Sequence, residues 1–115
     1  MTSPAFDNVE WLTIPDLVDA LGVSQSKVRR LLEERHLVGI RRDGGPLAVP
    51  ASFVRDGIPL TELQGTVIVL SDLHFSDEEI LTWLLEQDDA LGVAPIDAML
   101  SGRKAEVRRV AMTLA

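Results

Sequence analysis

The chain contains 115 residues, has 46% apolar residues and no cysteine, and carries a net charge of −7 at pH 7. Its length fits one domain, or one small domain with an appended helical unit, and its apolar fraction suffices for a packed core. The lack of cysteine excludes a disulfide framework, a thiol nucleophile and a cysteine-ligated metal. The first residues lack the segments of a signal peptide and no apolar run reaches the length of a membrane span, so we expect a cytoplasmic protein.

The charge is distributed unevenly along the chain. Residues 1–23 contain four acidic residues and no Lys or Arg. Residues 24–55 contain seven basic and three acidic residues, a net of +4, whereas residues 56–115 contain eleven acidic and four basic residues, a net of −7. The negative total argues against a nucleic-acid partner, but the middle segment has the positive charge that such a partner requires.

Residues 1–8 are predicted to form a short flexible tail, in which Thr2 and Ser3 offer accessible hydroxyl groups. Val9, Trp11 and Leu12 then lead into the first helix. The large indole of Trp11 is expected to anchor the start of that helix against the core.

Residues 13–32 predict two short helices joined by a tight turn. Thr13 and Asp16 have the spacing of a capping box, Gly22 is suited to a left-handed C-cap, and Ser24 can cap the second helix. Apolar residues recur at helical spacing in both segments: Ile14, Leu17, Val18 and Leu21 in the first, and Val28, Leu31 and Leu32 in the second.

The other face of the second helix is polar and basic. It carries Gln25, Ser26, Arg29 and Arg30, with Lys27 at its flank. A helix, a glycine-containing turn and a basic second helix are typical of the DNA-binding helix-turn-helix, although any corner between two helices of a bundle can have the same punctuation.

The segment that follows predicts a β-hairpin. The second helix is expected to end near Arg35 and His36, followed by strands over residues 37–40 and 47–49. Between them, Asp43-Gly44-Gly45 is a strong turn signal. A hairpin here has the size of the wing of a winged helix, and Arg41 and Arg42 at its tip could meet phosphate or the minor groove. The alternative is a solvated hairpin whose arginines bind nothing.

Residues 51–55 are predicted to form a short helical turn and residues 56–59 a joint, after which the composition changes. The apolar run over residues 60–74 could contain a buried strand at 66–70, but its length favours a helix. Ser76 and Glu79 form a capping box that opens a helix to about residue 86. Two further helices are expected over residues 96–100 and 103–115. The fold class is therefore mainly α with a small β-hairpin, a winged helix-turn-helix followed by a C-terminal helical domain, with a tail at 1–8 and domains at 9–57 and 58–115.

The chain offers little that would support catalysis or metal binding. Its two histidines, His36 and His74, are far apart and have no cysteine partners. Asp72 and His74 resemble part of a phosphoesterase metal motif, but the other ligands that such a site needs are missing. We therefore expect no enzyme activity, metal or cofactor.

With these elements in view, the chain resembles the actinobacterial winged helix-turn-helix DNA-binding proteins whose mycobacterial member is a substrate of a membrane serine/threonine protein kinase. The residues that carry the resemblance span about 12–112. They are Leu21-Gly22-Val23-Ser24 with Lys27-Val28, His36-Leu37-Val38, Arg41-Arg42-Asp43-Gly44-Gly45, Val49-Pro50, Glu79-Ile80 with Trp83-Leu84, Pro95-Ile96-Asp97-Ala98 and Glu106-Val107-Arg108-Arg109.

The resemblance implies a cytoplasmic DNA-binding regulator with a C-terminal helical domain of undefined role. In that family the kinase modifies a threonine in a longer N-terminal tail, which reduces DNA binding. The tail of this chain is only a few residues long, the modified threonine does not align with a residue in it, and Thr2 is the nearest candidate.

The predicted function is DNA binding by a transcriptional regulator or nucleoid-type protein. Its recognition helix would place Gln25, Ser26, Arg29 and Arg30 in the major groove, and Lys27, Arg41 and Arg42 would hold the backbone or the minor groove. The predicted partners are double-stranded DNA, a serine/threonine protein kinase and a second copy bound through the C-terminal helices. The alternative is a protein-interaction module, like an antitoxin or an accessory factor, that uses the acidic C-terminal helices.

Overall fold

The computed structural model describes residues 4–114. Within them lie six α-helices: α1 (Ile14–Leu21), α2 (Gln25–Glu33), α3 (Leu63–Asp72), α4 (Asp77–Leu85), α5 (Pro95–Leu100) and α6 (Lys104–Met112). The strands are β1 (Trp11–Thr13), β2 (Ile40–Arg41), β3 (Leu47–Pro50), β4 (Val54–Arg55) and β5 (Ile58–Pro59). The predicted fold class is confirmed: a winged helix-turn-helix unit precedes a helical C-terminal part.

Reciprocal side-chain caps fix the start of two helices, as the sequence predicts. At α1 the Thr13 N–H donates to Asp16 Oδ2 at 3.0 Å, and the Asp16 N–H donates to Thr13 Oγ1 at 3.4 Å. At α4 the Ser76 N–H donates to Glu79 Oε1 at 2.8 Å, and the Glu79 N–H donates to Ser76 Oγ at 3.1 Å. Each box satisfies two N–H groups, one of them a helix N–H that would otherwise lack a partner.

The second helix ends earlier than its sequence predicts. It stops at Glu33 because Arg35 adopts a left-handed conformation with φ of 65°. The N–H groups of Arg35 and His36 then bond back to the carbonyls of Leu32 and Leu31 at 3.2 and 2.9 Å, which is the hydrogen-bond pattern of a Schellman motif. The predicted strand over 37–40 is correspondingly reduced to β2 at residues 40–41.

The sheet is larger than the predicted hairpin. Strand β3 lies in its centre and pairs antiparallel with β2 on one side and with β1 on the other. Strand β1 is not predicted from the sequence, in which its three residues lead directly into α1. In addition, the joint predicted at 56–59 is part of a second hairpin, in which β4 and β5 pair antiparallel around Asp56 and Gly57.

The N-terminal segment is ordered where a flexible tail was predicted. Residues 4–6 form a 3₁₀ turn that packs beside α4, and Phe6 is buried with 3% of its surface exposed. The prediction is therefore wrong for this part of the segment, because the phenyl ring of Phe6 finds a place in the core. Thr2 lies outside the described residues.

One hydrophobic cluster joins the helix-turn-helix to the C-terminal helices. It includes Leu17 of α1, Val28 of α2, Phe53 beneath the sheet and Val107 of α6, all fully buried. The helix predicted in the apolar run at 60–74 is confirmed as α3, and it faces this core with residues spaced by four and three: Leu63, Val67 and Leu70. None of the helices formed by residues 4–114 is long and apolar enough to span a bilayer.

Candidate nucleic-acid interface

The corner between α1 and α2 is built from its caps and its core contacts. Gly22 ends α1 in a left-handed conformation, with φ of 66° and ψ of 35°, and Ser24 Oγ accepts the Lys27 N–H at 3.1 Å to begin α2. Leu17 and Val28 are fully buried where the two helices pack together. The corner therefore holds one face of α2 against the core and leaves the other face in solvent.

All five candidate residues of the second helix lie on that solvent face. None of their side chains has a hydrogen-bond or ion-pair partner within residues 4–114. These exposed residues are Gln25, Ser26, Lys27, Arg29 and Arg30. Three positive charges on one exposed face, without acidic partners, suit a phosphate backbone or the base edges of a groove.

The wing turn has the geometry that its sequence predicts. Asp43 and Gly44 have φ of 53° and 74°, and the Gly45 N–H donates to the Arg42 carbonyl at 2.8 Å. Positive φ at both central residues is typical of a type I′ turn. Arg41 is exposed. Among the described residues, the only hydrogen bond or ion pair of its side chain is a 3.4 Å hydrogen bond to the Gly45 carbonyl.

Arg42 is placed differently from Arg41. Its guanidinium carbon lies 4.3 Å from the centre of the Trp11 ring, and the residue is half-buried. Phe6 meets the same indole edge to face, with 5.5 Å between ring centres. Arg42 therefore lies against the Trp11 indole, whereas Arg41, at the end of β2, is exposed. Sequence reasoning missed this role of Trp11, since β1 brings the indole to the wing only in the folded chain.

Three contacts fix the end of α2 to the C-terminal helices. Gln64 Nε2 donates to the Glu34 carbonyl at 2.8 Å and lies 3.4 Å from His36 Nε2. Arg35 pairs with Asp77 at the start of α4 at 3.0 Å. The C-terminal end of α2 is thus held in place, and His36 forms part of this support.

The structure brings no metal-binding cluster together within residues 4–114. Asp72 lies at the end of α3 and His74 lies in the following turn, where its φ is 69°. Both are exposed.

A capped helical corner, an exposed basic second helix and a three-stranded sheet with a wing define a winged helix-turn-helix protein. Residues 5–54 match the family model described as "DNA-binding protein Rv2175c, wHTH domain", and residues 60–115 match the model "Rv2175c C-terminal domain of unknown function".

The DNA-binding protein Rv2175c of Mycobacterium tuberculosis is 32% identical over 114 residues, which cover 89% of this chain and 78% of the relative. The NMR structure of Rv2175c is similar with a TM-score of 0.85 and 30% identity, over 95% of this chain and 83% of the other. The chain therefore belongs to the Rv2175c family.

Proposed function

We propose that this protein binds double-stranded DNA through the exposed face of α2 and through the wing. The observation that carries the proposal is the basic face of α2, whose side chains have no partner within residues 4–114. The name of the mycobacterial relative, a DNA-binding protein, supports it. The function is binding rather than catalysis.

The residues divide into two roles by chemistry. Arg29 and Arg30 can donate to guanine, Gln25 can bond adenine, and Ser26 can bond either, so these four read base edges in the major groove. Lys27, Arg41 and Arg42 hold phosphates or the edge of the minor groove. Arg42 does so from its position on Trp11, so its guanidinium contributes charge near the backbone without leaving the wing base.

The finer proposals concern regulation and assembly. We infer a cytoplasmic transcriptional regulator or nucleoid-type protein, active as a homodimer through its C-terminal helices and controlled by a serine/threonine kinase. Phosphorylation, for example of Thr2, would add negative charge that repels the duplex and would weaken binding. The division into domains at 9–57 and 58–115 is supported by the family models, which match residues 5–54 and 60–115 separately.

Fluorescence anisotropy of a labelled random-sequence duplex, titrated at low and at moderate salt, tests DNA binding. We expect affinity to fall steeply with salt, with a logarithmic slope of about −0.9 for each phosphate neutralised. The Arg29→Ala/Arg30→Ala variant should bind more weakly, while Arg108→Ala/Arg109→Ala, which removes the same charge from α6, should not. No binding at low salt, or equal losses in the two variants, would contradict the proposal.

A further inference from the structure

A second cluster of cationic side chains lies on α6. The start of α3 and one face of α6 enclose a groove of about 620 Å³. Cationic, acidic and apolar side chains line it: Lys104, Arg108, Arg109, Glu62, Ala105 and Met112. This groove could not be predicted from the sequence, because its two walls are more than thirty residues apart along the chain.

The charge of the groove is opposite to that of the segment around it. Residues 56–115 have a net charge of −7 and four basic residues, three of which line the groove. Lys104 lies 3.8 Å from Glu62, but Arg108 and Arg109 form no hydrogen bond or ion pair within residues 4–114. Glu106, on the same helix, is already held by Arg103 at 2.8 and 2.9 Å. The guanidinium groups of Arg108 and Arg109 therefore have no hydrogen-bonded or ion-paired carboxylate within the described residues.

The groove also has an apolar wall, and one of its arginines lies close to α3. Met112 has 55% of its surface exposed, an unusual position for a large apolar side chain, and Ala105 lies about two turns away on α6. Arg108 packs flat against α3 at Gly65, where an added Cβ would lie 2.8 Å from Arg108 Cζ. The absence of a side chain at Gly65 thus lets the guanidinium lie beside the groove.

We propose that this groove docks a segment of a partner protein that combines apolar and acidic side chains. An apolar side chain would cover Met112 and Ala105, and flanking carboxylates would pair with Arg108 and Arg109. A concave, partly apolar groove suits protein side chains better than the phosphates of a convex duplex. None of the residues that line this groove is among those proposed to bind DNA.

A second copy of this chain fits the groove less well. The most acidic turn of the chain is the start of α4, and two of its carboxylates are engaged. Asp77 pairs with Arg35 at 3.0 Å, and Glu79 accepts the Ser76 N–H at 2.8 Å. A separate partner would bring carboxylates that have no such bonds to lose.

The test uses the full chain and a phage-displayed library of random peptides of about twelve residues. We expect selection to enrich peptides that combine Asp or Glu with Leu, Ile or Phe. A labelled enriched peptide should shift amide resonances of residues 61–62 and 104–112 in the wild-type protein. The Arg108→Glu/Arg109→Glu variant should bind it at least about tenfold more weakly.

Two further variants keep the test decisive. Lys104→Glu/Arg109→Glu leaves the packing of Arg108 on Gly65 intact and should also lose the peptide. Arg29→Glu/Arg30→Glu changes the net charge equally and should retain it. The proposal is overturned if no acidic peptides are enriched, or if all three variants lose binding equally. It is also overturned if the groove variants lose duplex binding instead of peptide binding. The same holds if sedimentation shows that the wild type is a dimer and the groove variants are monomers.

Discussion

The guanidinium carbon of Arg42 lies 4.3 Å from the centre of the Trp11 indole ring, and Phe6 meets the same ring edge to face at 5.5 Å. Trp11 belongs to β1, which pairs with β3 beside the wing. One indole therefore joins the N-terminal turn, the sheet and the wing. The neighbouring arginines of the wing have different surroundings, because Arg41 is exposed and Arg42 is half-buried.

This difference predicts that Arg42 contributes to the stability of the fold and that Arg41 contributes only to DNA binding. Arg42→Ala should lower the free energy of unfolding by about 0.5–1 kcal/mol, since it removes a cation–π contact. Arg41→Ala should leave stability unchanged and flatten the salt dependence of duplex binding. Urea unfolding and fluorescence anisotropy measure the two effects. If Arg41→Ala were the more destabilising variant, the stacked position of Arg42 would be of no energetic importance.

The ion pair between Arg35 and Asp77 links the end of α2 to the start of α4 at 3.0 Å. Both side chains are partly exposed, at 26% and 49%, so water screens their attraction. A double-mutant cycle with Arg35→Ala and Asp77→Ala should give a coupling energy below about 1 kcal/mol. A much larger coupling would mean that the pair, rather than the shared core, holds the two halves together.

The capping box at α4 predicts a loss of stability in acid. The N–H of Ser76 chiefly, and its hydroxyl secondly, lower the pKa of Glu79 below its ordinary value of 4.5. Glu79 therefore binds a proton more readily in the unfolded chain than in the folded one. The stabilisation from its cap is complete above the ordinary pKa and is lost as the pH falls through the lowered pKa of the folded state. Arg103 lowers the pKa of Glu106 through a side-chain hydrogen bond, with the same sign.

Urea midpoints measured at about pH 5 and about pH 3 test this linkage. The wild-type midpoint should be lower at about pH 3 than at about pH 5. Glu79→Gln can still cap the helix but does not titrate, so its midpoint should decrease less. Glu78→Gln is the control, because it removes a carboxylate from the same turn that makes no hydrogen bond to Ser76. An equal acid response in Glu79→Gln and wild type would refute the role of the cap.

A close backbone contact behind the wing predicts that a side chain at position 39 lowers the stability of the fold. A Cβ at this position would lie 2.6 Å from the Ala48 carbonyl oxygen, in the centre of the sheet. Gly39→Ala should therefore destabilise the protein by about 1–3 kcal/mol. Gly44→Asn is the matched control, because that position has open space and a left-handed φ of 74° that Asn tolerates. Thermal unfolding distinguishes them, and a neutral Gly39→Ala would contradict the close contact.

The helical corner and the basic face of α2 could be predicted because their signals are local. The capping box at Thr13, the C-cap at Gly22 and the N-cap at Ser24 each act within a few residues, and the apolar spacing fixes which face of α2 is buried. The turn at Asp43-Gly44 is local in the same sense.

The features that were missed depend on contacts between distant segments. Strand β1 is three residues long and is defined by pairing with β3, and the N-terminal turn is ordered by burial of Phe6. The early end of α2 depends on a left-handed Arg35, a conformation that the residue type does not favour. The groove of α3 and α6 likewise requires Gly65 and Arg108 to meet in space.

The most direct test of the account is a map of amide chemical shifts of the full, isotope-labelled chain on addition of a duplex. We expect the largest shifts at residues 25–30 of α2 and at residues 41–45 of the wing, with little change at residues 104–112. Shifts confined to α6, or no shifts at low salt, would contradict the assignment of α2 as the element that binds DNA.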